Sequence, residues 1–152
     1  PQEGTLTVCD LCCGKSYLTF AVYYYLTTIR RRKVKMYGVD LKKDVMDFCR
    51  ETAAELGFES MEFFCKDISD FHPSEKPDLV ISLHACDIAT DIVLYNAVRL
   101  EAKVILSTPC CQHEIAALPG TGFSEGTSPF PSEGLRRLYR RPPVQTPGGR
   151  RL

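Results

Sequence analysis

Strand-like and helix-like stretches alternate through the first 115 residues, and no other feature constrains this chain as strongly. Leu6–Asp10 is a short β-rich run, followed by the turn Leu11-Cys12-Cys13-Gly14-Lys15. Ser16 stands where it can cap a helix running to about Arg30. Tyr17, Phe20, Ala21, Tyr24 and Tyr25 form one apolar stripe of that helix. Leu18, Val22, Leu26 and Ile29 form a second, so burial around much of its girth is expected. The cluster Tyr23-Tyr24-Tyr25 is read as packing, and Arg30-Arg31-Arg32-Lys33 as a solvated basic end that suits the helix dipole.

A second strand follows at Val34–Asp40. The next helix, 42–56, has Val45, Phe48, Cys49, Thr52, Ala53 and Leu56 at helical spacing, and Gly57 stops it. Met61–Cys65 is a third strand, and the polar stretch 69–77 holds at most one helical turn. Asp78–Leu83 is an apolar fourth strand, as in the middle of a parallel sheet. Asp87 can cap a helix reaching about Leu100, and Lys103–Ser107 is a fifth strand closed by Pro109. Strands alternating with helices of this length specify an α/β fold with a doubly wound, Rossmann-like parallel sheet.

From Ala116 the character changes. Six Pro and six Gly fall in residues 116–152, with six Arg against two Glu and no apolar period. That stretch is expected to be a disordered tail, which leaves residues 1–115 as the folded domain. The 115 carry 13 basic and 17 acidic side chains, while the whole chain is neutral, so no global basic field draws it to nucleic acid. No apolar run reaches the ~18 residues of a membrane span. The first residue is Pro rather than Met, which implies a chain processed or cut from something longer. All eight Cys lie at or before Cys111, several inside apolar runs, as expected of reduced thiols in the cytoplasm. Cys9-x-x-Cys12 has finger-like spacing, and His84, Cys86, Cys110, Cys111 and His113 could add ligands. No second C-x-x-C follows, so no metal site is expected.

In a doubly wound fold the loop after the first strand faces a ligand. Gly14-Lys15-Ser16 matches half of a phosphate-binding loop. The first glycine of that pattern would stand at Cys9, and Asp10 would oppose a polyphosphate. The other reading rests on Asp10, Asp40 and Asp67, which end three strands. A carboxylate at the second strand's end can accept ribose hydroxyls, and one at the third can accept an adenine amino group. Three acids suit a cationic sulfonium ligand without phosphates.

At these residues the chain resembles the class I S-adenosylmethionine-dependent methyltransferases. More narrowly it resembles a group with D-x-C-C-G-K-S-x-L and P-C-C-Q-H-E motifs, carried here by Asp10–Leu18 and Pro109–Glu114. Asp40, Lys66-Asp67-Ile68 and Leu83-His84-Ala85-Cys86-Asp87 complete the likeness, which spans Thr5–Glu114. The broad pattern is D-x-G-x-G-x-G, and Cys12 and Ser16 replace its outer glycines. The resemblance implies S-adenosylmethionine as cofactor. Asp10 and the backbone of Cys12, Cys13 and Gly14 would hold its methionine part, Asp40 and Leu41 its ribose and adenine edge, and Asp67 and Ile68 its adenine, with Leu11 and Tyr17 also among the cofactor-binding residues. Leu83 and His84 would line the floor near the methyl group. The acceptor would be RNA or a small molecule, with no membrane involved.

Methyl transfer is an in-line displacement, so alignment and water exclusion matter most. A base is needed only where the acceptor loses a proton, and His84 is the candidate, with Asp87 beside it. Cys110 and Cys111 could supply a nucleophile. Class I relatives continue past the fifth strand where this tail begins, which implies a shortened member. Two other functions stay open: a cofactor-fold binding module without turnover, and a nucleotide-binding protein.

Overall fold

The computed structural model describes residues 4–83 and 85–109. The strands are β1 (Leu6–Leu11), β2 (Val34–Asp40), β3 (Met61–Cys65), β4 (Leu79–Leu83) and β5 (Val104–Thr108). The helices are α1 (Tyr17–Tyr24), α2 (Lys43–Glu55) and α3 (Ile88–Arg99). A π-helical turn, Tyr25–Ile29, extends α1, and a 3-10 turn, Ile68–Asp70, is all that stands between β3 and β4. The expected tail, 116–152, lies outside the described residues, as do His84, Cys110, Cys111, His113 and Glu114.

All five strands are parallel, in the order β3-β2-β1-β4-β5. This is the doubly wound sheet that the alternation specifies. Chain order reverses between β1 and β4, and in open α/β sheets such a reversal opens a crevice at the strand C-termini. β1 is the central strand, and Val8, Cys9 and Leu11 have no exposed surface.

Side chains alternate across the sheet and feed two cores. Val8, Met36 and Phe63 pack with Tyr23 of α1 and with Met46, Cys49 and Ala53 of α2. Cys9, Leu11, Tyr37, Val39 and Val80 pack with Val93 and Ala97 of α3 and with Phe71. Where a full crossover helix is missing, Phe71 closes this second core, its ring 5.8 Å from Tyr37 and 5.4 Å from Phe64.

Several local expectations are corrected. On α2 the buried stripe is Met46, Cys49 and Ala53, while Phe48 and Leu56 of the expected stripe face outward. On α1 only Thr19 and Tyr23 are buried, so the helix is not covered around its girth. Tyr23 packs against Phe58 at 4.9 Å, but Tyr24 and Tyr25 are exposed, which overturns packing as the role of the whole tyrosine cluster. A sheet can cover only one stripe of a helix, and sequence does not say which. The helix ends differ too. Ser16 and Asp87 sit before α1 and α3, yet neither side chain makes a capping bond. A cap residue needs extended backbone, whereas φ is 60° at Ser16 and 52° at Asp87.

Candidate functional site

The loop between β1 and α1 lies where the strand order reverses. Its backbone is bound to the end of β2: Cys12 N–H and Cys13 N–H both donate to the Val39 carbonyl, at 2.9 and 3.1 Å. Ser16 N–H closes the turn on the Cys13 carbonyl at 2.8 Å. Three alternate positions take left-handed backbone, with φ of 64° at Cys12, 51° at Gly14 and 60° at Ser16. These are the three glycine positions of the D-x-G-x-G-x-G pattern. The loop therefore keeps a glycine-loop conformation with one glycine, at a cost of about 1 kcal/mol for each L residue held there. Such strain persists only where surroundings over-determine it, and it clusters at ligand sites.

The loop can lie this close to the sheet because of Gly38, a residue whose importance the sequence did not reveal. A Cβ there would meet the Phe63 ring at 2.5 and 2.6 Å and Cys13 Sγ at 3.2 Å. Cys49 of α2 reaches the same loop from beneath, its Sγ 3.8 Å from the Gly14 carbonyl. On the other side Ser82 Oγ donates to the Leu11 carbonyl at 2.8 Å and ties β4 to the end of β1.

Of the three acids of the expected site, Asp40 is bonded to this loop, Asp10 lies beneath it, and Asp67 stands two residues past the end of β3. Asp40 Oδ2 accepts from Gly14 N–H at 2.9 Å, and its Oδ1 accepts from Lys42 N–H at 3.1 Å, so the carboxylate points into the mouth. Asp10 is 2% exposed beneath the loop. Its Oδ2 accepts from Thr19 Oγ1 at 2.6 Å, while Oδ1 is buried with no hydrogen-bond partner. Burial pushes the Asp10 carboxyl up to about 7; the Thr19 hydroxyl opposes this and the Asp40 charge adds to it. Asp67 caps the 3-10 turn, accepting from Ser69 N–H at 2.8 Å through Oδ1. The Cys12 thiol registers all three: burial first, then Asp40, Asp10 and Asp67, push it up to about 12. Cys13 is pushed up as well, by burial and then by Asp10, so the loop cysteines stay neutral thiols rather than nucleophiles.

Other expected contacts fall elsewhere. The Leu11 and Ile68 side chains lie in the second core, so only their backbones can meet a ligand at the mouth. Leu41 and Tyr17 are exposed at its rim. Leu83, half-buried, ends β4 opposite Thr108 of β5. His84 lies outside the described residues. Among the described residues no disulfide joins Cys9, Cys12, Cys13, Cys49, Cys65 or Cys86. Among the described residues no group of three or more His, Cys, Asp or Glu could hold a metal, and no helix is long and apolar enough to cross a membrane. Two open grooves flank β3, one against Arg50 and Ala53, the other against Tyr37 and Ser74; neither includes an expected site residue.

The donor set can be weighed against a ligand. A buried carboxylate oxygen without a donor, a second carboxylate at the mouth and backbone held close by Gly38 fit a ligand carrying positive charge and a ribose. They oppose a polyphosphate.

Known proteins bear on the family and the fold. Residues 1–118 match the model of a family described as a methyltransferase domain. A curated Xenopus laevis protein, "Glutathione S-transferase C-terminal domain-containing protein", is 25% identical over 117 residues. That match takes 77% of this chain and only 18% of the relative, so the chain spans under a fifth of the relative's length. A SAM-dependent methyltransferase from Aquifex aeolicus has a similar fold, with a TM-score of 0.50 at 15% identity over 66% of this chain and 55% of that one. Coclaurine N-methyltransferase, solved with N-methylheliamine and SAH, gives a TM-score of 0.48 at 15% identity over 69% of this chain and 29% of that one.

Proposed function

We propose, from the premise that this chain belongs to the methyltransferase-domain family, that its mouth holds S-adenosylmethionine for transfer of the methyl group to an acceptor. The observation that carries this reading is the pair of carboxylates against a left-handed loop, Asp40 bonded to Gly14 N–H and Asp10 buried beneath. When bound, the cofactor supplies a methyl group on a positively charged sulfur.

The chain's own residues do the rest. Asp40 would exchange its bond to Gly14 N–H, or share it, to accept the ribose hydroxyls. Asp10, its Oδ1 sealed beneath the loop, would act on the methionine ammonium through its charge rather than by contact. Asp67, already turned toward backbone by Ser69 N–H, has acceptor capacity left for an adenine amino group. Leu41 would cover the ribose from the rim, and Ser82 would hold β1 and β4 in register beneath. Past Leu83, His84 would take a proton where the acceptor must lose one, with Asp87 as its neighbour. We place the chain in the group marked by the D-x-C-C-G-K-S motif, and its free thiols suit the reducing cytoplasm.

Calorimetric titration with S-adenosylhomocysteine tests the reading. Binding is expected, weakened at least tenfold in Asp40→Ala, and tighter above pH 7 than below it because an ionised Asp10 suits an ammonium. A flat trace at millimolar ligand would overturn the proposal. Incorporation of labelled methyl groups into total cell extract, lost in Asp40→Ala, would separate an enzyme from a module that only binds.

A further inference from the structure

One helix departs from the surface chemistry of the others. Between Asp10 and Asp40 the chain runs 29 residues, 11–39, without one acid and with six basic residues. α1 occupies the middle of that stretch. The exposed part of α2 mixes Asp44, Glu51 and Glu55 with Lys43 and Arg50, and α3 exposes Asp91 and Arg99 beside Tyr95 and Val98. On α1 the exposed face is Tyr17, Ala21, Tyr24 and Thr28, at spacings of four, three and four, with Tyr25 alongside. Tyr17 is 74% exposed, Tyr24 50% and Tyr25 45%. Exposed Lys15 stands at its start, and exposed Arg30, Arg31 and Lys33 stand past its end.

The bland explanations account for half of this. Cations at a helix C-terminus suit the dipole, which covers Arg30–Lys33. A lysine at the N-terminus opposes the dipole, and α1 has no acid in its first turn to offset Lys15. Packing explains Tyr23, not its exposed neighbours. A protein partner would be met by aromatic rings flanked at both ends by positive charge, with Arg30 already lying 5.9 Å over the Tyr25 ring and donating to its hydroxyl at 3.1 Å. A polyanion with flat faces matches both features, since phosphates answer the cations and bases stack on tyrosine.

We infer that the exposed tyrosine face of α1, with Lys15 at one end and Arg30, Arg31 and Lys33 at the other, docks a single strand of nucleic acid and leads it toward the mouth. The track runs about 20 Å along the helix and its π-helical turn. Tyr17 opens it at the rim of the loop that holds Asp10 and Gly14. The inference rests on the methyl-transfer reading only in making that strand the acceptor; docking itself needs no cofactor.

Fluorescence anisotropy of labelled single strands of about twelve nucleotides, RNA and DNA in separate arms, tests it with the full chain. Binding is expected for single strands and weaker for a duplex, whose bases are not free to stack. Tyr24→Ala and Tyr25→Ala should each weaken it about tenfold. Lys33→Gln should lower the slope of log affinity against log salt by about 0.7, one phosphate contact. Both tyrosine variants should keep the wild-type melting temperature and the wild-type response to S-adenosylhomocysteine. A difference between the RNA and DNA arms names the source of the strand. No binding at low salt, equal binding of duplex, affinity indifferent to the tyrosines, or a Tyr24-dependent dimer in sedimentation would each overturn the inference. Strand binding with a flat S-adenosylhomocysteine titration would sink the methyl-transfer reading and leave the docking face standing.

Discussion

The sheet is finished differently on the two sides of β1. Toward β3, both faces are covered: α1 and α2 on one, Phe71 and its neighbours on the other. At the outer edge, beside the open grooves, the Arg50 guanidinium occupies the Phe63 carbonyl, donating from Nε at 3.0 Å and from Nη2 at 2.8 Å. An edge carbonyl occupied in this way cannot recruit a foreign strand. Toward β5, α3 covers one face through Val93 and Ala97, while Val104 and Leu106 on the other are 50% and 59% exposed. Of the acids that would grip a cofactor, Asp40 and Asp67 belong to the β3 side and Asp10 to β1 between the two.

That contrast can be broken by substitution. Gly38→Ala should cost most, about 3 kcal/mol, because the new methyl meets the buried Phe63 ring. Urea denaturation reads this, and a loss under 1 kcal/mol would mean that the loop does not depend on close approach. Next is the buried carboxyl on β1. Asp10 is held above its unfolded value, at about 7, so the folded protein keeps a proton that the unfolded chain gives up. Stability must then fall as pH rises from about 4 to about 7, by about 2 kcal/mol between pH 5 and pH 7. Asp10→Asn should flatten that slope; an unchanged slope would assign it to another group. Arg50→Ala should cost about 1.5 kcal/mol and promote self-association through β3, visible in light scattering. The smallest effect is expected across the sheet: Leu106→Ser should change stability by no more than about 0.5 kcal/mol. A loss above 2 kcal/mol would show that β5's outer face is covered, and the two sides would no longer differ.

Much of this fold is legible locally. The extent of β2 could be anticipated because Val34–Val39 is apolar but for Lys35 and Asp40 ends it, and Gly57 takes φ of 67° where the α2 pattern stops. The site is legible in outline, since Asp10, Asp40 and Asp67 are strand-end acids and parallel strands bring such ends together. Its supports are not. Thr19 reads as an ordinary helix residue, yet its hydroxyl holds Asp10; Ser82 reads as strand filler, yet it holds Leu11. Neither bond follows a spacing rule, because partners nine and 71 residues apart meet only once the sheet is assembled.

Sequence alone determined the alternation, the parallel sheet and the acids at its strand ends, because hydrophobic period and turn chemistry act over a few residues. Tertiary structure alone decided which stripe of α1 faces water, that Cys12 and Ser16 take a glycine's backbone, and that one oxygen of Asp10 is buried without a partner. Each of these outcomes is a competition between distant parts of the chain. A helix with two apolar stripes can bury either, and a loop accepts strain only when strands on both sides over-determine its path.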